Sequence, residues 1–171
     1  NYVFDPKAFL KRYFLEGTGD YAFLIDEAHN LVDRARDMYS AQLSRTQVRR
    51  VAQALKEPVP QVAHVLDTID AFLKTQLQRA DDEGDGRGWL DRDLPEDLLP
   101  LIQRAQAEAE PVLARNSPSP WREELLDLFF AFVTFLRVAR RTPSTSATVK
   151  IGSMIEIRCH ATRSRSKGQY K

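Results

Sequence analysis

The chain has 171 residues, sets 25 Lys and Arg against 24 Asp and Glu, and is 43% hydrophobic with 7 Gly, 9 Pro and one Cys. Those proportions exclude collagen-like, mucin-like and disulfide-scaffold classes and leave enough chain for a buried core. The near-neutral balance hides an asymmetry: from Ser144 onward the only acid is Glu156 against six basic residues, so the basicity is a property of the C-terminal end.

The opening Asn1-Tyr2-Val3 has neither a start methionine nor a charged region leading into an apolar one, which predicts a piece of a longer protein. Asp5-Pro6 reads as a helix N-cap followed by a first helical residue, with Phe9, Leu10, Tyr13 and Phe14 at helical spacing. Gly17-Thr18-Gly19 ends that helix. Tyr21 to Ile25 is an unbroken apolar run, the pattern of a strand buried on both faces in a parallel sheet, and it delivers Asp26-Glu27-Ala28-His29.

Beyond Asn30 the chain becomes a succession of helices. Leu31, Ala35 and Met38 mark one helix, and Ser44 is placed to cap a second with the stripe Val48, Val51, Ala52, Leu55. After Pro58 and Pro60, the series Val62, Val65, Leu66, Ile69, Phe72, Leu73, Leu77 holds helical spacing for over four turns. An acidic, Gly-rich loop is expected from Ala80 to Asp93. Pro95 is expected to open a helix that buries Leu98, Leu99, Ile102, Ala105, Ala109 and Leu113, although Pro100 and Pro111 argue against its continuity. The longest stripe, Leu125, Leu128, Phe129, Phe132 and Leu136, lies on a helix from Trp121 to Arg141 that should form the centre of a bundle. From Thr142 the helical period is lost. Val149 to Ile157 has the character of a short strand, and the remainder reads as a basic, poorly ordered tail.

Asp26 and Glu27 carry the strongest chemical signal. Neighbouring acids at the C-terminal end of a buried parallel strand lie where phosphate-handling sites of open α/β folds form. Nucleotide hydrolysis needs one carboxylate to hold Mg²⁺ and a second group to activate the attacking water. The bland alternative is that both acids cap the helix that begins near Asn30. Other features carry less. Asp81, Glu83, Asp85 and Gly86 imitate the start of a calcium loop, but Arg92 stands where a bidentate Glu is required. His64 is read as a packed or surface histidine. Cys159-His160 cannot close a tetrahedral site, and a lone cysteine suits a reducing compartment, so a cytoplasmic location is expected. Phe129, Phe130, Phe132 and Phe135 are helix-spaced and read as core rather than base-stacking platforms. Arg45, Arg49, Arg50 and Lys56 form a moderately basic face, more readily a solvated surface than a DNA contact. The run Leu125 to Ala139 is broken by Asp127 and Arg137, too short and too charged for a membrane helix.

Asp26-Glu27-Ala28-His29 resembles the DEAH form of the Walker B box of superfamily-two helicases, and the following Asn30-Leu31 narrows the resemblance to the XPD/DinG family of iron-sulfur DNA helicases. Asn1-Tyr2-Val3-Phe4-Asp5-Pro6 resembles the N-Y-x-x-D-P segment that this family carries shortly upstream of the box. The resemblance covers about the first forty residues and implies a mainly α chain in three parts. Residues 1–29 would be a fragment of RecA-like motor domain 1, with a short Walker B strand. Residues 30–142 would be an Arch-like helical insertion and 143–171 a basic tail. It further implies ATP and Mg²⁺ as cofactors and single-stranded DNA as partner, with Asp26 engaging Mg²⁺ through water. Glu27 would activate the hydrolytic water and His29 would couple nucleotide state to domain movement. The family's iron-sulfur ligands lie outside this chain. With no G-x-x-x-x-G-K-[ST] loop, the chain alone is expected to be inactive as an ATPase. Two other classes stay open: a non-catalytic helical interaction module, and a helicase-like nuclease or nucleotide switch that uses the same box.

Overall fold

A computed structural model describes residues 16, 17, 19–22, 24–83, 89–91, 97–141, 147–151 and 154–159. Four helices make the body of the fold: α2 (Arg45–Leu55), α3 (Pro60–Glu83), α4 (Leu98–Ala114) and α5 (Arg122–Arg141). A shorter helix, α1 (Leu31–Met38), precedes them. Four strands, β1 (Ala41–Ser44), β2 (Trp89–Asp91), β3 (Ala147–Ile151) and β4 (Met154–Cys159), form one sheet in the order β1-β4-β3-β2. Every pairing in that sheet is antiparallel. The chain is therefore mainly helical, as its periodicity predicts, with a small antiparallel sheet beside the helices.

Successive helices pack on one another, and α5 returns to α2, so the four close into a ring around a shared core. The expected stripes supply that core. Val48, Val51, Ala52 and Leu55 of α2 are all buried, as are Leu98, Ile102, Ala105, Ala109 and Leu113 of α4. From α3 come Val62, Val65, Leu66, Ile69 and Leu73, and from α5 Leu125, Leu128, Phe132, Phe135 and Leu136. Burying apolar surface at this 3-4 spacing holds the bundle together, since isolated helices of these lengths are marginal in water.

Local chemistry accounts for most boundaries. Pro100 costs α4 nothing because it sits in the first turn, where backbone amides have no acceptor. Pro111 lies inside the same helix and removes one amide donor, yet the helix runs on for three residues to Ala114. Asn116 then takes a left-handed conformation (φ 49°), a common way to leave a helix, and its amide donates to the Leu113 carbonyl at 3.2 Å. That same carbonyl accepts from Arg122 Nη2 at 3.3 Å, tying the start of α5 to the end of α4. Ser44 does not cap α2 with its side chain; it is the last residue of β1, with extended backbone. The chain between α3 and β2 also departs from expectation. Helix α3 runs on to Glu83 and β2 occupies Trp89–Asp91, so part of the expected acidic loop is regular structure.

Arg45 at the start of α2 meets Asp70 of α3. The Nε to Oδ1 separation is 2.8 Å and Nη2 donates to Oδ2 at 3.3 Å, with both side chains only 20 to 24% exposed. Nε and Oδ1 miss hydrogen-bond alignment, so the closer contact acts mainly through charge. A partly shielded pair loses more than a surface pair when one partner is neutralised, because the other charge stays desolvated. Asp70→Asn is expected to lower stability by about 1 to 2 kcal/mol in urea unfolding; no change in midpoint would mean that the pair is only a surface contact.

Two sequence expectations need correction. The first concerns the tail from 143: the strand expected over Val149 to Ile157 is there as two strands, Ala147–Ile151 and Met154–Cys159, which form a hairpin that is inserted into the sheet and reaches the core. Alternation explains it. Register pairs Leu43 with Ile155 and Ala41 with Ile157 on one face, and all four are buried. The opposite face carries Glu156, which accepts from Gln42 Nε2 at 2.8 Å and stands opposite Lys150 in register. Residues 160–171, the rest of the expected tail, lie outside the described residues. The second correction concerns the Walker B strand. Tyr21, Ala22, Leu24 and Ile25 are in no strand, and Leu24 is fully exposed. A strand exists only through its ladder partners. The sheet that is present draws on other segments and is antiparallel rather than parallel.

Candidate functional site

Asp26, Glu27 and His29 lie together at the entrance to α1, on a turn followed by a single 3₁₀ turn, Ala28–Asn30. Asp26 Oδ1 accepts from the Glu27 amide at 2.9 Å, and the Glu27 carbonyl accepts from the Asn30 amide at 2.9 Å. Together these bonds fold residues 26–30 into a compact reverse turn. Glu27 Oε2 stands 3.2 Å from His29 Nε2 across that turn, with both side chains open to solvent at 61% and 74% exposure. All three predicted residues are exposed.

Backbone geometry singles out Glu27. It sits at φ 52°, ψ 41°, in the left-handed region that L-residues enter at a cost of about 1 to 2 kcal/mol. Asn116 shares that region, but as an asparagine just past a helix end, where the conformation is common. A glutamate there has no such routine reason. Neither Glu27 before the 3₁₀ turn nor Asn30 before α1 makes a side-chain cap hydrogen bond.

The donors suit a partial rather than a complete metal shell. Among the described residues no group of three His, Cys, Asp or Glu side chains is arranged to hold a metal ion. Magnesium is commonly held by one or two carboxylates together with substrate phosphates and water, and an exposed Asp26 beside Glu27 fits that minimal set. The apolar residues ahead of the turn are open as well: Tyr21 is 49% and Ile25 40% exposed.

Elsewhere the structure sorts the minor candidates. His64 is exposed on α3, and its backbone carbonyl accepts from Thr68 Oγ1 at 3.0 Å. The basic face of α2 is partly neutralised, since Arg45 pairs with Asp70 and Arg50 with Glu124 at 3.4 Å. Phe132 and Phe135 are core, as expected, and Phe129 packs against the core at its edge. Phe130 departs from the expectation: it is 57% exposed, one ring centroid 6.0 Å from that of Phe129 in an edge-to-face pair. A helical-wheel reading separates Phe130 from the buried stripe, and this was the signal that a list of aromatics by spacing passed over. No helix among the described residues is long and apolar enough to cross a membrane. No family model and no curated protein matches the chain.

Proposed function

We propose that this chain is a segment of an ATP-dependent DNA helicase resembling the XPD/DinG family, joining the Walker B box of a RecA-like motor domain to an Arch-like helical insertion. The observation that carries this reading is the sequence Asp26-Glu27-Ala28-His29-Asn30-Leu31, in order after Asn1-Tyr2-Val3-Phe4-Asp5-Pro6 and directly ahead of a helical bundle. Two further features support it. Glu27 makes no side-chain cap hydrogen bond, and the exposed apolar run before it has the composition of a central strand whose neighbours would come from other parts of a motor domain.

In this reading Asp26 helps to hold Mg²⁺ alongside the nucleotide phosphates, and the metal supplies charge neutralisation at the transferred phosphoryl group. Glu27 orients and deprotonates the attacking water. His29, within 3.2 Å of Glu27, senses the state of that carboxylate and passes it to the neighbouring motor domain. The parent protein would bind ATP and single-stranded DNA, work in the cytoplasm and translocate 5′ to 3′. The phosphate-cradling loop and the iron-sulfur ligands would come from outside this chain, which by itself would not turn over ATP.

The test is to assay the parent protein with MgATP on a partly single-stranded duplex. Separation of the strands with phosphate release is the expected result. Cleavage without separation would replace the helicase reading with a nuclease that uses the same box, and neither reaction would leave only a helical interaction module.

A further inference from the structure

A cleft of about 360 Å³ opens beside α5, lined by Val133, Leu136, Arg137 and Arg140 of that helix and by Gln106 of α4. Its four α5 residues fall at helical spacing on one face. Arg137 Nη1 is shielded from solvent and has no hydrogen-bond partner. Leaving a guanidinium donor desolvated and unpaired is costly, and turning the Arg137 side chain toward the open cleft that it lines removes that cost when an oxyanion there supplies the acceptor. Among the described residues no Asp or Glu lines the cleft beside its two arginines. The donor set, two guanidinium groups and one side-chain amide, matches the several oxygens of a phosphate group.

Phe130 indicates which phosphate. It precedes Arg137 by seven residues, two helical turns, and so stands on the same face of α5, about 10 Å away along the axis. Its ring is more than half exposed and is braced edge-on by Phe129, which packs against the core. An exposed, braced aromatic beside a basic cleft is the pairing that single-stranded nucleic acid uses: bases stack on the ring while the backbone follows the cations. Free phosphate or a nucleotide phosphate would use the arginines but would give no role to a ring about 10 Å from them.

We propose that the outer face of α5 is a contact for single-stranded DNA, with one backbone phosphate seated on Arg137, Arg140 and Gln106 and a base stacked on Phe130. The choice of DNA rests on the helicase reading, whereas the phosphate seat and stacking ring rest on this geometry alone.

Fluorescence anisotropy of a labelled oligo(dT) against the 171-residue chain tests it. The chain is expected to bind without nucleotide. Arg137→Gln/Arg140→Gln should weaken binding at least tenfold and lower the slope of log affinity against log salt by about 0.7, the value for one lost phosphate contact on a single strand. Phe130→Ala should weaken binding about tenfold and leave the slope unchanged, because stacking is not ionic. Arg137→Lys/Arg140→Lys, which keeps the charge, should retain the slope and so separates lost contact from lost folding. Absence of oligo(dT) binding, or equal binding by the glutamine variant, overturns the proposal. So does equal affinity for duplex DNA, and so does stabilisation by inorganic phosphate alone with no oligo(dT) binding. The two readings fail separately. A parent protein that lacks ATPase leaves an Arg137-dependent oligo(dT) signal intact, and loss of that signal leaves Glu27-dependent turnover intact.

Discussion

Glu27→Gln in the parent protein is expected to cut DNA-stimulated ATP hydrolysis by roughly 10² to 10⁴-fold, the range that a positioned general base contributes. The amide has nearly the same size but cannot accept a proton from water. Stability should barely change. Glu27 is exposed, and the hydrogen bonds that shape its turn come from its backbone and from Asp26. Surface substitutions of this kind stay within about 0.5 kcal/mol. Phosphate release, together with a thermal unfolding curve on the same preparation, checks both halves. Turnover equal to wild type would sink the helicase assignment and leave the acids as features of a turn.

The second large effect concerns folding. Phe135→Ala removes a fully buried ring from the centre of α5 and should cost about 3 to 5 kcal/mol in urea unfolding, a large share of the stability of a domain this size. Phe130→Ala, five residues earlier on the same helix, should cost less than about 0.5 kcal/mol because its ring already faces water. This contrast makes the pair informative. If both variants unfold alike, the rotation of α5 about its axis is not as described, and the phosphate contact on its outer face fails with it.

The helices could be read from the chain because their core positions repeat every three to four residues and their ends carry proline, glycine or a polar run. Val48, Val51, Ala52 and Leu55 were marked by spacing and are all buried. The strands were much harder to read. β1 has four residues, Ala41 to Ser44, and its alternation is too short to stand out; its partner lies more than a hundred residues away, so no local signal links them. After Thr142 the apolar residues of Val149 to Ile157 point to strand structure, but not to its partner: Ile155 and Ile157 find an apolar surface made by Leu43 and α5. The opposite error occurred at Tyr21 to Ile25. That segment has a strand's composition without, among the described residues, any strand to pair with.

For the candidate site, Asp26, Glu27 and His29 were named from residue type and order, and the structure adds the left-handed Glu27 and its 3.2 Å approach to His29. The cleft at Arg137 and Arg140 had no signature in one dimension, since Gln106 joins them from another helix.

The sequence by itself determined which segments are helical, which face of each is apolar, and where two acids follow one another, because these depend on contacts within a turn or two. Tertiary structure alone decided that the C-terminal strands close a sheet with Ala41–Ser44, and that Phe130 is exposed and Arg137 lines a cleft while Phe135 is buried. Those outcomes depend on how helices rotate against one another and on hydrogen bonds between distant strands, and the free energy for both comes from burying the whole surface at once.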